Sequence, residues 1–488
     1  MKILAKNGDT LEILANPEEE ILERGDYLTI EDGGKTLLAQ VIDIEYADVP
    51  GVLEDALREL SSEDFVDSSS IDPYSLGSVI ANIRDARLVI AKVRGVVMNG
   101  ELRNDVLWLP SRFRSKISKT PPSLIMELSK SIGRRNILIG ECMGGWISIT
   151  AEALDGALTI ITGKKEMGKS HLAKMLVVNL VEYGAKVMVL DINGEYVGLS
   201  RKIDGGESEI SRKLFILTPG ENFRVSLSET GLRTMLDILK YVYETPTASL
   251  REFSRAWYIV EKLNGKISLR GLVEAISKIQ MNESIRDALL SRLQSIESLE
   301  FFNDSGDFSL QEFLSKLSYG AALIIDLSKT SPQGRRVVVE YLLSKLSSML
   351  KDESIPPLFL VAEEAHLYLR ETYWDDLVTR MRHIGVFPIF VTNQPDMIPD
   401  SVYRQADNIF IFNFTNDSDL DYLAKASRVD AETVKKIVKN LPPRRCLVIG
   451  KVVNDLPIVV KTRSLPLVTM GETKLYFNVE KTYLSLRD

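Results

Sequence analysis

Six short apolar runs between residues 157 and 414 constrain the fold more than any other feature of the chain. Helical segments separate the runs, and this alternation is typical of a parallel sheet whose two faces are both covered by helices. The sequence therefore predicts an α/β core with strands at 157–162, 187–191, 322–326, 358–362, 387–392 and 409–414. Core helices are predicted at 170–183, where Gly184 ends the helix, and at 332–350.

Composition limits the class of protein. The chain has 488 residues, enough for about three structural units. Apolar residues make up 45% and charged residues 26%, which is a globular composition that can bury a large core. Cys142 and Cys446 lie far apart in the sequence, so we expect neither a disulfide framework nor a zinc site. This cysteine usage favours a reducing, cytoplasmic location.

Net charge and hydropathy limit how the chain can contact nucleic acid or a membrane. The net charge is −8, so the molecule as a whole repels nucleic acid and any DNA contact must be local. The N-terminus becomes polar by residue 6, and the chain has no run of 18 apolar residues. We therefore expect no signal peptide and no membrane span.

The region before residue 125 is predicted to be rich in β-strands. Segments 26–30 and 36–45 flank Gly33, whose freedom to adopt positive φ suits a tight hairpin, and 87–98 is a further strand. We expect a small β-barrel, with an acidic, serine-rich surface excursion at 52–74.

Residues 230–300 interrupt the α/β rhythm with helices only, which predicts a helical bundle inserted in the core. Ser249–Glu252 matches a capping box that would open the second helix, and a third helix covers 269–280. A fourth helix carries Ile285, Leu289, Leu293 and Ile296 on one face. The predicted domains are a barrel at 1–125, a core at 126–229 and 301–466, the bundle, and a tail at 467–488 that packs on the core or on a neighbour.

The strongest chemical signal is a GxxxxGKS motif directly after an apolar run and before a predicted helix. It consists of Gly163, Lys164, Lys165, Glu166, Met167, Gly168, Lys169 and Ser170. In such a loop, backbone N–H groups converge on phosphate oxygens, the lysine reaches the β- and γ-phosphates, and the serine hydroxyl ligates Mg²⁺. The motif predicts a nucleoside triphosphate site, and His171 in the following helical turn is included in it.

Glu166 stands where many such loops have glycine. We expect it to adopt a less favourable backbone conformation and to repel the triphosphate. Lys164 and Lys165 would offset its charge.

A pair of acidic residues, Glu363 and Glu364, ends the apolar run at 358–362. In ATPases with this loop, one acidic group at such a strand end holds Mg²⁺ and its neighbour polarises the attacking water. The pair therefore predicts a hydrolytic site.

Three further polar candidates lie on either side of the strand predicted at 387–392, one after it and two before it. Gln394 lies where a sensing amide would contact the γ-phosphate or the lytic water, and the alternative is a turn-forming amide. Arg380 and Arg382 lie in the last turn of a helix predicted over 372–383. Either could be an arginine finger for a neighbour's nucleotide or a helix-end cation of ordinary kind.

Other polar residues carry weaker signals. We expect the three histidines to pack or hydrogen-bond rather than to ligate metal. Three basic pairs could contact phosphates, but such pairs are most often solvated surface: Arg335-Arg336, Lys435-Lys436 and Arg444-Arg445.

Together these motifs resemble the HerA branch of the HerA/FtsK superfamily of ring-forming ATPases. The likeness covers nearly the whole chain and is carried by 25–45, the GxxxxGKS motif, DINGEY at 191–196, 324–343, EEAH at 363–366, 382–395 and 441–450. It implies a RecA-like P-loop ATPase core with an N-terminal barrel, using ATP and Mg²⁺. Members of the family form homohexamers around duplex DNA, and archaeal members work with the NurA nuclease.

By position, the resemblance implies that Lys169 and Ser170 contact the phosphates and Mg²⁺, and that Glu363 lies near the metal. It implies Glu364 as the water-activating residue, Gln394 as the sensor and Arg382 as the trans-acting arginine. Asp191 and Glu195 match a family motif whose role the sequence does not define.

The chain also departs from the family pattern. Lys165–Gly168 replaces the usual TGSG, Asn193 replaces a frequent histidine, and Ser418 stands where relatives often carry arginine. These changes suggest a divergent archaeal paralogue.

The expected function is an ATP-driven DNA translocase in DNA-end processing or repair. The alternatives are a DNA-packaging or conjugative pump, a nucleotide-binding ring scaffold that does not translocate, and a small-molecule kinase. The predicted barrel and the glutamate pair argue against the kinase.

Overall fold

A computed structural model describes residues 1–15, 21–47, 86–103, 108–304, 308–317, 319–368, 382–426 and 429–470. The chain forms two compact units. Met1–Thr150 joins Asn408–Arg463 in the first, and Ala151–Asp407 joins the described residues from Ser464 onward in the second. This division differs from the predicted domains, because 126–150 and 408–463 group with the N-terminal strands rather than with the core. The excursion predicted at 52–74 lies outside the described residues.

The first unit begins with an antiparallel sheet. Its strands pair in the order β1-β2-β5-β4-β3-β7, with β6 on β5: β1 Lys2–Asn7, β2 Thr10–Ala15, β3 Tyr27–Asp32, β4 Lys35–Tyr46, β5 Arg87–Met98, β6 Glu101–Arg103 and β7 Lys116–Lys119. Alternate residues of β2, including Leu11 and Ile13, enter the core. The three predicted strands are confirmed. The pairings of the described residues leave β1 and β7 at the two ends of the order, so the closed barrel stays a prediction.

Five more strands of the first unit pair antiparallel in the order β16-β17-β18-β8-β9. The strands are β8 Asn136–Cys142, β9 Gly145–Thr150, β16 Asn408–Phe412, β17 Arg445–Gly450 and β18 Ile458–Thr462. The helices that accompany them are α1 Pro122–Leu128, α11 Asp417–Ala426 and α12 Ala431–Val438. The run at 409–414 is thus a strand, as predicted, but its partner β17 is antiparallel. A fully buried strand reads as a continuous apolar run whichever way its neighbour points.

The second unit contains a parallel sheet in the order β12-β13-β11-β14-β15-β10. Its strands are β10 Thr159–Thr162, β11 Lys186–Asp191, β12 Leu214–Leu217, β13 Ala321–Asp326, β14 Leu358–Glu363 and β15 Val386–Thr392. Five of the six apolar runs are therefore confirmed as parallel strands. The sequence missed β12, a short and partly exposed strand at the edge of this order.

The two predicted core helices are present as α2 Lys169–Glu182 and α8 Pro332–Lys351. Gly184, with φ of 95°, follows α2 as expected. Ser331 caps α8 by accepting a hydrogen bond from the Gly334 N–H at 3.1 Å. Short helices complete the described part of this unit: α7 Leu310–Lys316, α9 Arg382–Ile384 and α10 Asp400–Gln405.

The helical segment of the second unit comprises α3 Leu227–Asp237, α4 Thr247–Asn264, α5 Leu269–Lys278 and α6 Glu283–Glu297. Consecutive helices contact one another, and α4 also contacts α6. The predicted capping box at Ser249 is wrong, because α4 begins two residues earlier, after Pro246, and Ser249 is buried inside it. Ser268 and Asn282 cap α5 and α6 instead.

No described helix is both long and apolar enough to cross a lipid bilayer.

Candidate active site

The GxxxxGKS motif connects β10 to α2. Gly168, with φ of 110°, immediately precedes α2, and the loop turns Lys169 back toward its own start. The Lys169 Nζ donates a hydrogen bond to the Lys164 carbonyl oxygen at 2.9 Å. Burial lowers the pKa of Lys169, while the nearby carboxylates of Glu364 and Glu363 oppose that effect. The loop therefore encloses one buried cation beside two acids.

Glu166 adopts φ of 64°, in the left-handed region. This confirms the expectation of an unfavourable backbone conformation, because a residue with a Cβ is disfavoured there relative to glycine. Its side chain is exposed.

The order of the strands brings the acidic pair to the loop. β15 lies between β10 and β14, and all three run parallel, so their carboxyl ends share one edge of the sheet. At that edge the Ser170 hydroxyl donates to Glu363 Oε2 at 3.3 Å. Burial raises the pKa of Glu363 to about 7, although a hydrogen bond from Tyr196 acts in the opposite direction.

Glu364 follows the end of β14 and turns away from the path of the strand, with φ of 47°. Its Oε1 accepts a hydrogen bond from the Asn393 side-chain amide at 3.2 Å. Its Oε2 is buried without a hydrogen-bond partner among the described residues, and His366 Nδ1 lies 3.6 Å from it. Burial raises the pKa of Glu364, and the Lys169 charge acts against that rise. The two glutamates thus differ: both oxygens of Glu363 accept hydrogen bonds, whereas Oε2 of Glu364 accepts none among the described residues.

These residues fit a magnesium-bound nucleoside triphosphate. A serine hydroxyl and a carboxylate oxygen within hydrogen-bonding distance are the hard oxygen donors that Mg²⁺ prefers. Lys169 supplies a buried positive charge for phosphate, and the unpartnered Glu364 Oε2 is an acceptor awaiting a donor such as water.

Comparisons with known proteins agree with this geometry. Residues 161–346 match the family model described as "Helicase HerA, central domain". The chain is 23% identical over 343 residues to the "DNA double-strand break repair helicase HerA" of Saccharolobus solfataricus, covering 66% of this chain and 67% of that protein. The chain is a HerA-like protein.

Solved structures show the same fold. VirB4 of Thermoanaerobacter pseudethanolicus matches with a TM-score of 0.53 at 16% identity, covering 69% of this chain and 99% of that chain. The bacterial conjugative coupling protein TrwB matches with a TM-score of 0.52 at 14% identity, covering 72% and 94%. The chain therefore shares the fold of these proteins. With the GxxxxGKS motif and the match to the HerA central domain, it is a P-loop ATPase.

Gln394 was also predicted to belong to this site. The Gln394 side chain is exposed and makes no hydrogen bond among the described residues, while its backbone N–H donates to Thr392 Oγ1 at 3.0 Å. The neighbouring Asn393, which was not among the predicted residues, makes the contact with Glu364. Tyr196 was also missed, and the only hint of it was its place in the DINGEY motif.

Arg382 lies at the other end of β10 from the loop. Its guanidinium donates to the Gly156 carbonyl oxygen at 2.9 Å and pairs with the Asp407 carboxylate at 2.9 Å. Both partners lie in the same chain, so the Arg382 guanidinium is engaged within its own chain; the helix-end and arginine-finger roles both stay predictions. Arg380 lies outside the described residues, as does most of the helix predicted over 372–383.

Several of the basic residues considered for phosphate contact are paired with acids inside their own unit. Lys435 pairs with Asp421, Lys436 lies 3.2 Å from Asp43, and Arg445 lies 2.7 Å from Glu23. Their charges are largely neutralised. His366 is the expected hydrogen-bonding histidine, since its Nδ1 lies 3.0 Å from Thr392 Oγ1.

Proposed function

We propose that this HerA-like ATPase assembles into a homohexameric ring that moves along duplex DNA and acts in DNA-end processing or repair. The observation that carries the proposal is the joining of Lys169, Ser170, Glu363 and Glu364 at one sheet edge, within a chain matching the HerA central domain. The named function of the Saccharolobus solfataricus relative, DNA double-strand break repair, supports the choice of substrate.

Binding would begin at the phosphates. The backbone N–H groups of 163–168 and the positive end of α2 would hold the phosphate oxygens, with Lys164, Lys165, Met167 and His171 bordering them. Lys169 would exchange its bond to the Lys164 carbonyl for the β- and γ-phosphates. Ser170 Oγ and Glu363 Oε2 would hold Mg²⁺, which when bound neutralises charge developing on the phosphates.

Glu364 would act as the general base. Its Oε1 is anchored by Asn393, which leaves Oε2 free to take a proton from the attacking water. A carboxylate whose pKa is raised by burial is a better proton acceptor near neutral pH than an exposed one. Gln394, at the exposed tip after β15, would approach the γ-phosphate.

Arg382 would couple neighbouring subunits. To reach a neighbour's nucleotide, it would have to exchange its contacts with Gly156 and Asp407 for the γ-phosphate. That exchange gives the interface two states, one with nucleotide and one after hydrolysis, which could drive motion along DNA. Mixed rings test this idea: Arg382→Ala and Glu364→Gln subunits should restore some activity when combined, and absence of any complementation would remove Arg382 from the trans role.

The finer assignments belong to the same proposal. We retain an N-terminal barrel, an inserted helical bundle, and a C-terminal tail that packs on the core or a neighbour. A NurA-like nuclease is the proposed partner, and the cytoplasm is the proposed location, which the two buried free cysteines support. Because the net charge is −8, DNA affinity must come from a local positive channel and should fall steeply with salt.

An ATPase assay with and without linear duplex DNA tests the proposal. A translocase predicts hydrolysis that DNA stimulates and that Glu364→Gln abolishes while nucleotide binding persists. Hydrolysis by Glu364→Gln at the parental rate would contradict the catalytic assignment. ATP-dependent assembly without any DNA stimulation would instead identify a ring scaffold.

A second candidate is a conjugative DNA pump, favoured by the shared fold with the conjugative coupling protein TrwB. The two functions differ in their need for DNA ends. A motor for end processing should be stimulated more by linear duplex than by covalently closed circles of the same sequence, whereas stimulation by single strands or closed circles alone would favour the pump.

A further inference from the structure

The DINGEY turn, residues 191–196, has no part in the chemistry proposed above. It follows β11, which pairs in parallel with β14, so the turn and Glu363 lie at the same edge of the sheet. The sequence matches this turn to a family motif but does not define its role. The structure shows which residues the turn contacts.

Asp191 builds the turn. Its carboxylate is fully buried and accepts two backbone hydrogen bonds, from the Glu195 N–H to Oδ1 at 3.0 Å and from the Tyr196 N–H to Oδ2 at 2.8 Å. A side chain that binds the backbone a few residues ahead fixes the path of that backbone. Asp191 therefore sets the position from which the Tyr196 side chain leaves the turn.

Tyr196 is held on both its ring and its hydroxyl. The side chain is fully buried, and the Lys174 ammonium lies 5.6 Å from the ring centroid. Lys174 is itself fixed by an ion pair with Glu195 at 2.8 Å. The Tyr196 hydroxyl donates to Glu363 Oε1 at 2.6 Å.

Because of this hydrogen bond, the two oxygens of the Glu363 carboxylate have different partners. Oε1 is occupied by Tyr196, and Oε2 is the oxygen that faces the Ser170 hydroxyl. A carboxylate can rotate about its last bond unless one oxygen is fixed, and groups behind a metal ligand commonly supply that restraint.

We propose that Tyr196 is a positioning residue that orients Glu363 toward Ser170 and thereby sets the affinity for magnesium-bound nucleotide. The DINGEY turn is then the support of the magnesium site: Asp191 fixes the backbone, Glu195 and Lys174 hold the ring, and the phenol holds the ligand. This inference rests on the magnesium role proposed for Ser170 and Glu363.

The chain supplies a matched control. Tyr368 is also buried, and its hydroxyl donates to the backbone carbonyl oxygen of Glu363 at 2.9 Å. Tyr196→Phe and Tyr368→Phe therefore each remove one buried phenol hydroxyl that is bonded to the same residue. Only the first removes a bond to the carboxylate.

The experiment measures equilibrium binding of a fluorescent ADP analogue to each full-length variant as Mg²⁺ is varied, together with thermal unfolding. Both variants should unfold at lower temperature than the parent. Tyr196→Phe should need roughly 10- to 100-fold more Mg²⁺ for half-maximal Mg²⁺-dependent binding, the effect usual for loss of a group behind a metal ligand. Tyr368→Phe should keep the parental Mg²⁺ requirement.

An unchanged Mg²⁺ requirement in Tyr196→Phe, or an equal shift in both variants, would overturn the positioning role. Ser170→Ala separates this result from failure of the proposed site. If Ser170→Ala shifts the requirement and Tyr196→Phe does not, only the Tyr196 inference is wrong. If neither does, the magnesium assignment itself is wrong.

Glu195→Gln decides the question if Tyr196→Phe does not fold. It removes the ion pair to Lys174 and leaves the phenol in place. A smaller shift to higher Mg²⁺ supports the inference, and a parental requirement overturns it.

Discussion

Replacing Arg382 with alanine separates its contacts within one chain from its proposed action on a neighbour. The substitution removes the ion pair with Asp407 and the bonds from Nε and Nη2 to the Gly156 carbonyl oxygen. Asp407 has a side chain only 7% exposed, so it would remain as a buried carboxylate without its cation. It would keep the hydrogen bond from the Leu158 N–H at 2.9 Å.

The structure sets the size of the effect. Breaking a buried ion pair from one side costs about 3–5 kcal/mol, and this is an upper limit here because the Arg382 side chain is 22% exposed and Asp407 keeps the hydrogen bond from the Leu158 N–H. A single hydrogen bond to a charged group contributes about 1.5–3 kcal/mol. We therefore expect Arg382→Ala to lower the free energy of unfolding by about 2–4 kcal/mol. For a unit of this size, that corresponds to a fall in Tm of roughly 4–16 °C.

Calorimetric unfolding of Arg382→Ala, Asp407→Asn and the double variant measures this directly. If the two side chains stabilise each other, the double variant should lose less stability than the sum of the single losses. A parental Tm for Arg382→Ala would mean that Arg382 is not held by Asp407 and Gly156. If Arg382→Ala loses ATP hydrolysis but keeps the parental Tm, the only role left for Arg382 is its proposed action on the nucleotide of a neighbouring subunit.

Other substitutions have expected outcomes of their own. Lys169→Ala should abolish nucleotide binding in a fluorescence titration, whereas Glu364→Gln should bind nucleotide and fail to release phosphate. Glu166→Gly should raise the free energy of unfolding by about 1 kcal/mol and tighten nucleotide binding, because it removes a Cβ from the left-handed region and a carboxylate from the loop; looser binding would contradict the expected repulsion. Ser268→Ala should cost about 1 kcal/mol in denaturant unfolding by removing the cap of α5, and Ser249→Ala should cost less because Ser249 caps nothing.

The sequence predicted the elements of the core well because buried parallel strands are continuous apolar runs. The boundaries of β11, β13, β14 and β15 lie within one residue of the predicted ones. Strand direction was not encoded in the same way, so β16 was assigned to the parallel core although its pairing with β17 is antiparallel.

The site was predictable where a motif is local and hidden where contacts are distant. Lys169 and Ser170 lie in one loop, and their place follows from the motif. The contact between Tyr196 and Glu363 joins residues 167 positions apart, and that between Arg382 and Gly156 joins residues 226 apart. Local patterns carry no information on such pairs, which depend on the order of the strands.

The central claim is that the loop at 163–170 and the acids at 363–364 close on one triphosphate. A structure with a non-hydrolysable ATP analogue and Mg²⁺ tests it most directly. We expect the γ-phosphate at Lys169 Nζ, the metal between Ser170 and Glu363, and a water on Glu364 Oε2. A nucleotide bound elsewhere, or a metal held without Ser170 and Glu363, would contradict it.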